Sequence, residues 1–166
     1  MRTAFILSFV ANLAVCVVSY VACPEEVAIH FGSGGEPDNW APAWINALLI
    51  GGVNVLLFAS IYFSPHLMRV LPRGLVNLPN RDYCMKDENW PKAEALLSTW
   101  MYLFGTVMMA FMLIVGLLAL DANLSEPVRF REEIFWWPFG LFMAFTVGWS
   151  LLMFRVFRIP AGEECR

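Results

Sequence analysis

No Asp, Glu, Lys, Arg or His falls within residues 3–22, 44–63, 96–120 or 134–154 of this 166-residue chain. Proton relays and ion-coupled carriers place ionisable groups inside their bundles, where the cost of burial is borne only for work. Their absence argues against a pump or a proton-coupled carrier. Histidine is scarce as well, with two in the chain, His30 and His66, both between the uncharged stretches. There is no HExxH, no GxSxG and no phosphate-cradling glycine loop, so the common motifs of metalloprotease, serine hydrolase and nucleotide chemistry are missing. We expect a non-enzymatic protein without a cofactor. The four cysteines form no framework. Cys16 lies in the first apolar stretch, Cys23 just beyond it, and Cys84 and Cys165 among basic segments, so no disulfide is expected. The chain also lacks internal repeats and low-complexity segments.

Apolar sequence is abundant instead. Hydrophobic residues make up 59%, and the mean hydropathy is +0.61; soluble domains hold roughly 45–50% apolar residues. A chain this short cannot hide that excess from water. The four uncharged stretches each approach or exceed the ~20 helical residues that cross a ~30 Å hydrocarbon core. None carries the polar stripe of a soluble amphipathic helix. The fold expected is all-α and polytopic: a single membrane domain over 1–166, with four transmembrane helices at about 3–22, 44–63, 96–120 and 134–154. The first stretch resembles a signal peptide, with a faint lipoprotein box at Tyr20–Cys23. Tyr20 and Pro24 fit that box poorly and the apolar run is long, so a retained helix is expected.

Basic residues set the orientation. Arg2, the 64–95 connection and the C-terminal segment hold nine of the Lys and Arg residues; the other two connections hold only Arg129 and Arg131. The positive-inside rule places both termini in the cytoplasm, N-in/C-in, of a bacterial inner membrane. Loops 23–43 and 121–133 are then outer, and loop 64–95 is inner. The outer face is acidic, with Glu25, Glu26, Glu36, Asp38, Asp121, Glu126, Glu132 and Glu133, which favours cationic partners and excludes nucleic acid. Trp40, Trp44, Trp136 and Trp137 mark outer helix ends; Tyr62, Trp90 and Trp100 mark inner ends.

The outer loop Cys23–Ala43 is longer than a helix connector needs to be, and long ordered loops tend to be functional. Val27–Phe31 reads as one short strand, Gly32–Gly35 as a tight reversal, and Pro37-Asp38-Asn39 as a second turn. Phe31 and Trp40 are placed to anchor the loop to the helix ends. His30 is expected to point into the loop, bonded to a backbone carbonyl or to Glu36 or Asp38; the alternative is a cation held by His30, Glu36 and Asp38. In the inner loop, Asp87 or Asn89 can cap a helix beginning at Trp90-Pro91 and running into the third span. Leu71, Leu75, Val76, Leu78 and Met85 among basic residues suit either a segment lying on the membrane surface or a solvated linker. Gly140, Ala144 and Gly148 form a small-residue face for helix packing, with a weaker counterpart at Thr106 and Ala110. Asn12 and Asn54 call for partners across the bundle.

Residues Pro24–Phe31 followed by Gly35-Glu36-Pro37-Asp38-Asn39-Trp40 resemble the signature loop of a bacterial membrane family catalogued as domain of unknown function 1648. Val76-Asn77-Leu78-Pro79-Asn80-Arg81-Asp82-Tyr83 resembles a second feature of that family, so the likeness covers roughly residues 1–85. Gly32 stands where the family usually has asparagine, and Cys84 where it usually has tryptophan. The resemblance implies a membrane topology with an outward loop. It makes His30, Phe31, Gly35, Glu36, Pro37, Asp38, Trp40, Asn77, Pro79 and Tyr83 the candidate binding residues. The same domain occurs in Sdp-type toxin-immunity proteins, which implies a sensor or immunity module for a cationic peptide. Two other classes remain open: a small accessory subunit packing through the fourth helix into a larger membrane complex or a self-associated one, and a metal-dependent membrane enzyme using His30.

Overall fold

Four long apolar helices carry the chain back and forth, as the uncharged stretches require. In the computed structural model, which describes residues 1–158, they are α1 (Arg2–Ala22), α2 (Ala43–Tyr62), α5 (Trp90–Leu124) and α6 (Glu132–Val156). All four are long and apolar enough to cross a membrane, and the chain is a multi-pass membrane protein. Cys165 and Arg166 lie outside the described residues. Between α1 and α2 stand two strands, β1 (Glu26–Phe31) and β2 (Pro37–Pro42); between α2 and α5 lie the short helices α3 (Ser64–Val70) and α4 (Arg81–Cys84), separated by a 3₁₀ turn at Arg73–Leu75.

Three helices make the core. Phe5 of α1 and Met109 of α5 are fully buried, with Ile61 of α2 beside them. Phe5 and Phe9 stack on Phe58 with ring centroids 5.0 and 4.1 Å apart. Gly105 permits this approach: a Cβ there would lie 2.8 Å from Phe5 Cε2 and 3.0 Å from Ile61 Cγ2. The small residue that matters in the third span is therefore Gly105. Thr106 turns its hydroxyl back to the Tyr102 carbonyl at 2.7 Å, and Ala110 is exposed.

Asn12 finds its expected partner across the bundle, donating to the Met109 carbonyl at 2.9 Å as well as to Ser8 of its own helix. Asn54 does not. Its amide donates to Ile50 one turn back, and Oδ1 meets no donor among the described residues.

Among the spans, the fourth packs chiefly on α5, through rings. Phe142 stacks on Phe111 at 4.8 Å, and Trp149 lies 4.9 Å from Phe104 and donates to the Trp100 carbonyl. At about 100° per residue, Gly140, Ala144 and Gly148 fall on the opposite side of α6. Gly140 and Ala144 are exposed and Gly148 is half-buried, and among the described residues nothing lies within 4 Å of a Cβ built at either glycine. The small-residue face expected to pack thus meets no helix among the described residues; large aromatic rings hold α6 instead.

Other expectations need correction. The third helix begins at Trp90, with Asn89 at the cap position, but the Asn89 side chain donates to the Tyr83 carbonyl rather than capping. It runs on to Leu124, past the expected end at 120, because its last polar residues are used: Asp121 pairs with Arg131, and Asn123 bonds the hairpin. Trp90 is buried with Leu97, Leu78 and Phe157 in a second cluster. In the same segment Leu71 and Leu75 are exposed while Val76 and Leu78 are buried. It is thus part apolar surface and part packed plug.

Candidate functional site

The loop expected to hold one strand and two turns is a two-stranded antiparallel hairpin. Val27 pairs with Ala41 and Ala28 with Trp40; the register then slips around His30, which pairs with Asn39, before Phe31 meets Pro37. Pro37-Asp38-Asn39 is strand rather than turn. A proline lacks the N–H a ladder needs, but the ends of an edge strand tolerate it, and Pro37 and Pro42 occupy the two ends of β2. The reversal lies where the glycines are. Gly34 and Gly35 have φ of 82° and 76°, a region costly for residues with a Cβ. The Gly32 N–H closes the turn on the Glu36 carbonyl at 2.8 Å.

Three anchors fix the hairpin to the bundle. The first is Asn123, near the end of α5. Its Oδ1 accepts from the Ala28 N–H at 2.7 Å, and its Nδ2 donates to the Ala28 carbonyl at 3.1 Å and to Ala119 of its own helix. The amide thus acts as a one-residue third strand along the free edge of β1, and Ala28 is only 3% exposed. The second anchor is the connection before α6. The Phe130 N–H donates to the Gly35 carbonyl at 2.8 Å, and the Gly35 N–H donates to Glu132 Oε1 at 2.7 Å. A Cβ on Gly35 would lie 2.0 Å from the Phe130 carbonyl oxygen, so this glycine is required by contact as well as by φ. Arg129 donates to the Gly34 carbonyl at 3.0 Å. The third anchor is apolar: Phe31 packs against Phe130 at 5.3 Å. Behind them Arg131 bonds Asp121, and that hydrogen bond first, then the carboxylate's charge, holds the guanidinium above its ordinary pKa.

The side chains this frame presents are polar and aromatic. His30 Nδ1 lies 2.6 Å from Asp38 Oδ1, so the expected partner is right. The expected direction is not. The two side chains are 68% and 51% exposed, because the slip in register around His30 leaves that pair outside the hairpin–bundle contact. Trp40 is 46% exposed and is not an anchor; its strand partner Ala28 is held at its other edge by Asn123. Glu25, Glu26 and Glu36 are exposed, and Pro37 is half-buried. Among the described residues no three His, Cys, Asp or Glu side chains come together as metal ligands.

Asn77, Pro79 and Tyr83 lie at the other end of the bundle, one span away from the hairpin, and share no site with it. There Asn80 takes a left-handed φ of 52° to start α4 and donates to the Phe157 carbonyl at 2.7 Å. Leu78 and Cys84 are buried against Trp90 and Phe157. The segment closes that end of the bundle, and Asn77 itself is exposed.

Residues 7–55 match the family model described as Domain of unknown function (DUF1648). The DUF1648 segment runs from α1 through the whole hairpin into α2, and it contains Gly35, Asp38 and Trp40. It stops before Val76, so the Val76–Tyr83 motif lies beyond it. No curated protein and no solved structure matches the chain. Sequence reasoning missed Asn123, Phe130 and Glu132, which all lie outside the DUF1648 segment. An aromatic residue in a short charged connection was the available signal for Phe130; Asn123 carried none, since an amide near a helix end reads as an ordinary terminus.

Proposed function

We propose that this chain is a non-enzymatic protein of the bacterial cytoplasmic membrane whose hairpin faces outward and recognises a cationic peptide, as a sensor or immunity-type module would. The observation behind this reading is the division of labour in residues 24–42. Backbone and glycines are held by Asn123, Phe130 and Glu132, while Glu25, Glu26, Glu36, Asp38 and Trp40 are left exposed. Holding a surface loop in one shape lowers the ordering cost of binding. Acidic groups beside an aromatic ring suit a partner carrying lysine or arginine. Arg2, Arg69, Lys86, Lys92 and Arg155 cluster at the end away from the hairpin, which supports the N-in/C-in orientation. The test is titration of a synthetic lysine-rich amphipathic peptide onto the protein in neutral-lipid nanodiscs. Binding should weaken as salt rises, and the double variant Glu36→Gln/Asp38→Asn should bind several-fold more weakly. Equal binding by variant and wild type would refute the reading.

A second reading is an accessory or self-associating subunit that packs through α6. It is favoured by one observation: Gly140 and Ala144 are exposed, and Gly148 has open space beside it, on the side of α6 opposite its aromatic seam with α5. Small residues in that spacing let helices approach closely in lipid.

A further inference from the structure

The Asn54 side chain is 2% exposed, yet its Oδ1 has no donor among the described residues. It lines a cavity between α1, α2 and α5 whose other polar walls are Asn12, Cys16, Ser19, Asn46 and Asn123. Cys23, Val27 and Ala43 also line it, so the base of the hairpin forms its roof. The space open to the centres of water-sized spheres is about 30 Å³, and one water takes on the order of 10–15 Å³ by this measure. We propose that this cavity is an internal hydration site, holding about two water molecules that donate to Asn54 and join the amides of the three helices beneath the hairpin.

The chemistry selects the occupant. The unmet group is a carbonyl oxygen, so the ligand must bring a hydrogen-bond donor or positive charge. No Asp, Glu, Lys, Arg or His lines the cavity, and an uncompensated cation inside an apolar bundle is strongly disfavoured. The space of about 30 Å³ favours the smallest neutral donors. Water supplies donors, accepts from the neighbouring amides and meets the size limit. This inference does not depend on what the hairpin recognises.

The experiment is water-edited solid-state NMR on the protein in lipid bilayers, with asparagine and leucine labelled. Magnetisation from water should reach the Asn54 and Asn12 side-chain amides several-fold faster than it reaches Leu56, which is exposed on α2 close to Asn54. In Asn54→Val the transfer to Asn12 should fall by at least half, because the waters lose an acceptor. Transfer to Asn54 in the wild type as slow as to Leu56 would overturn the proposal, whether or not the variant folds.

Discussion

Replacing Asn123 by alanine removes the single side chain that satisfies both backbone groups of Ala28. In the wild type those groups accept and donate at 3.1 and 2.7 Å, and Ala28 is 3% exposed. An unpaired buried polar group costs about 1–3 kcal/mol, so two such groups bound the loss at about 2–6 kcal/mol. The hairpin sits at a polar end of the bundle, where water reaches the freed groups once it lifts. The lower part of that range, about 2–3 kcal/mol, therefore applies to local opening. At 1.4 kcal/mol per factor of ten, hydrogen-exchange protection over residues 26–42 should fall by roughly 30- to 150-fold. The four spans should be unaffected, and circular dichroism should be unchanged. His30→Ala is the comparison. Its partner contact is exposed, and an exposed pair contributes at most about 1 kcal/mol, so protection should fall less than roughly fivefold. If Asn123→Ala leaves exchange close to wild type, or if His30→Ala loosens the hairpin more, the anchoring scheme is wrong.

Gly35→Val should open the hairpin further than Asn123→Ala, since φ of 76° and a 2.0 Å approach to Phe130 both exclude a side chain; the same exchange measurement checks it. Gly105→Leu should lower the thermal midpoint, with overpacking at the Phe5–Ile61 contact costing about 1–3 kcal/mol or more; a midpoint unchanged in detergent would contradict the close approach. In a background with the native cysteines replaced, Ser33→Cys should label with an impermeant maleimide from the outside of cells and Glu88→Cys only after lysis; the reverse would overturn the orientation. Burial pushes the native Cys23 thiol above its ordinary pKa. Its labelling should therefore lag that of Ser33→Cys near neutral pH and catch up as pH rises through the alkaline range.

The four spans were legible because an uncharged apolar stretch of that length is stable in lipid and in few other settings. Their ends matched within a few residues, except where polar side chains at the end of α5 found partners far along the chain. The hairpin was half legible. Its glycines announced the reversal, but Pro37-Asp38-Asn39 has turn composition and becomes strand only because β1 offers a partner. The anchors at Asn123, Phe130 and Glu132 were not legible, because each is defined by contacts roughly 95 or more residues away. The small-residue face of α6 shows the converse. Its spacing was plain, but whether anything packs there depends on molecules other than this chain, while the aromatic seam that does hold α6 has no spacing rule that sets it apart from lipid-facing residues.

The central claim is that the hairpin, held from behind and exposed in front, is where this protein meets a partner. Site-specific photocrosslinking in intact bacterial membranes tests it most directly, with a benzophenone residue placed at Glu36, at Gly148 or at Leu56. The account predicts a discrete adduct from Glu36 that weakens at high salt and disappears when Gly35→Val opens the hairpin, with only lipid adducts from Leu56. A discrete adduct from Gly148 and none from Glu36 would contradict it and place the partner on α6 instead.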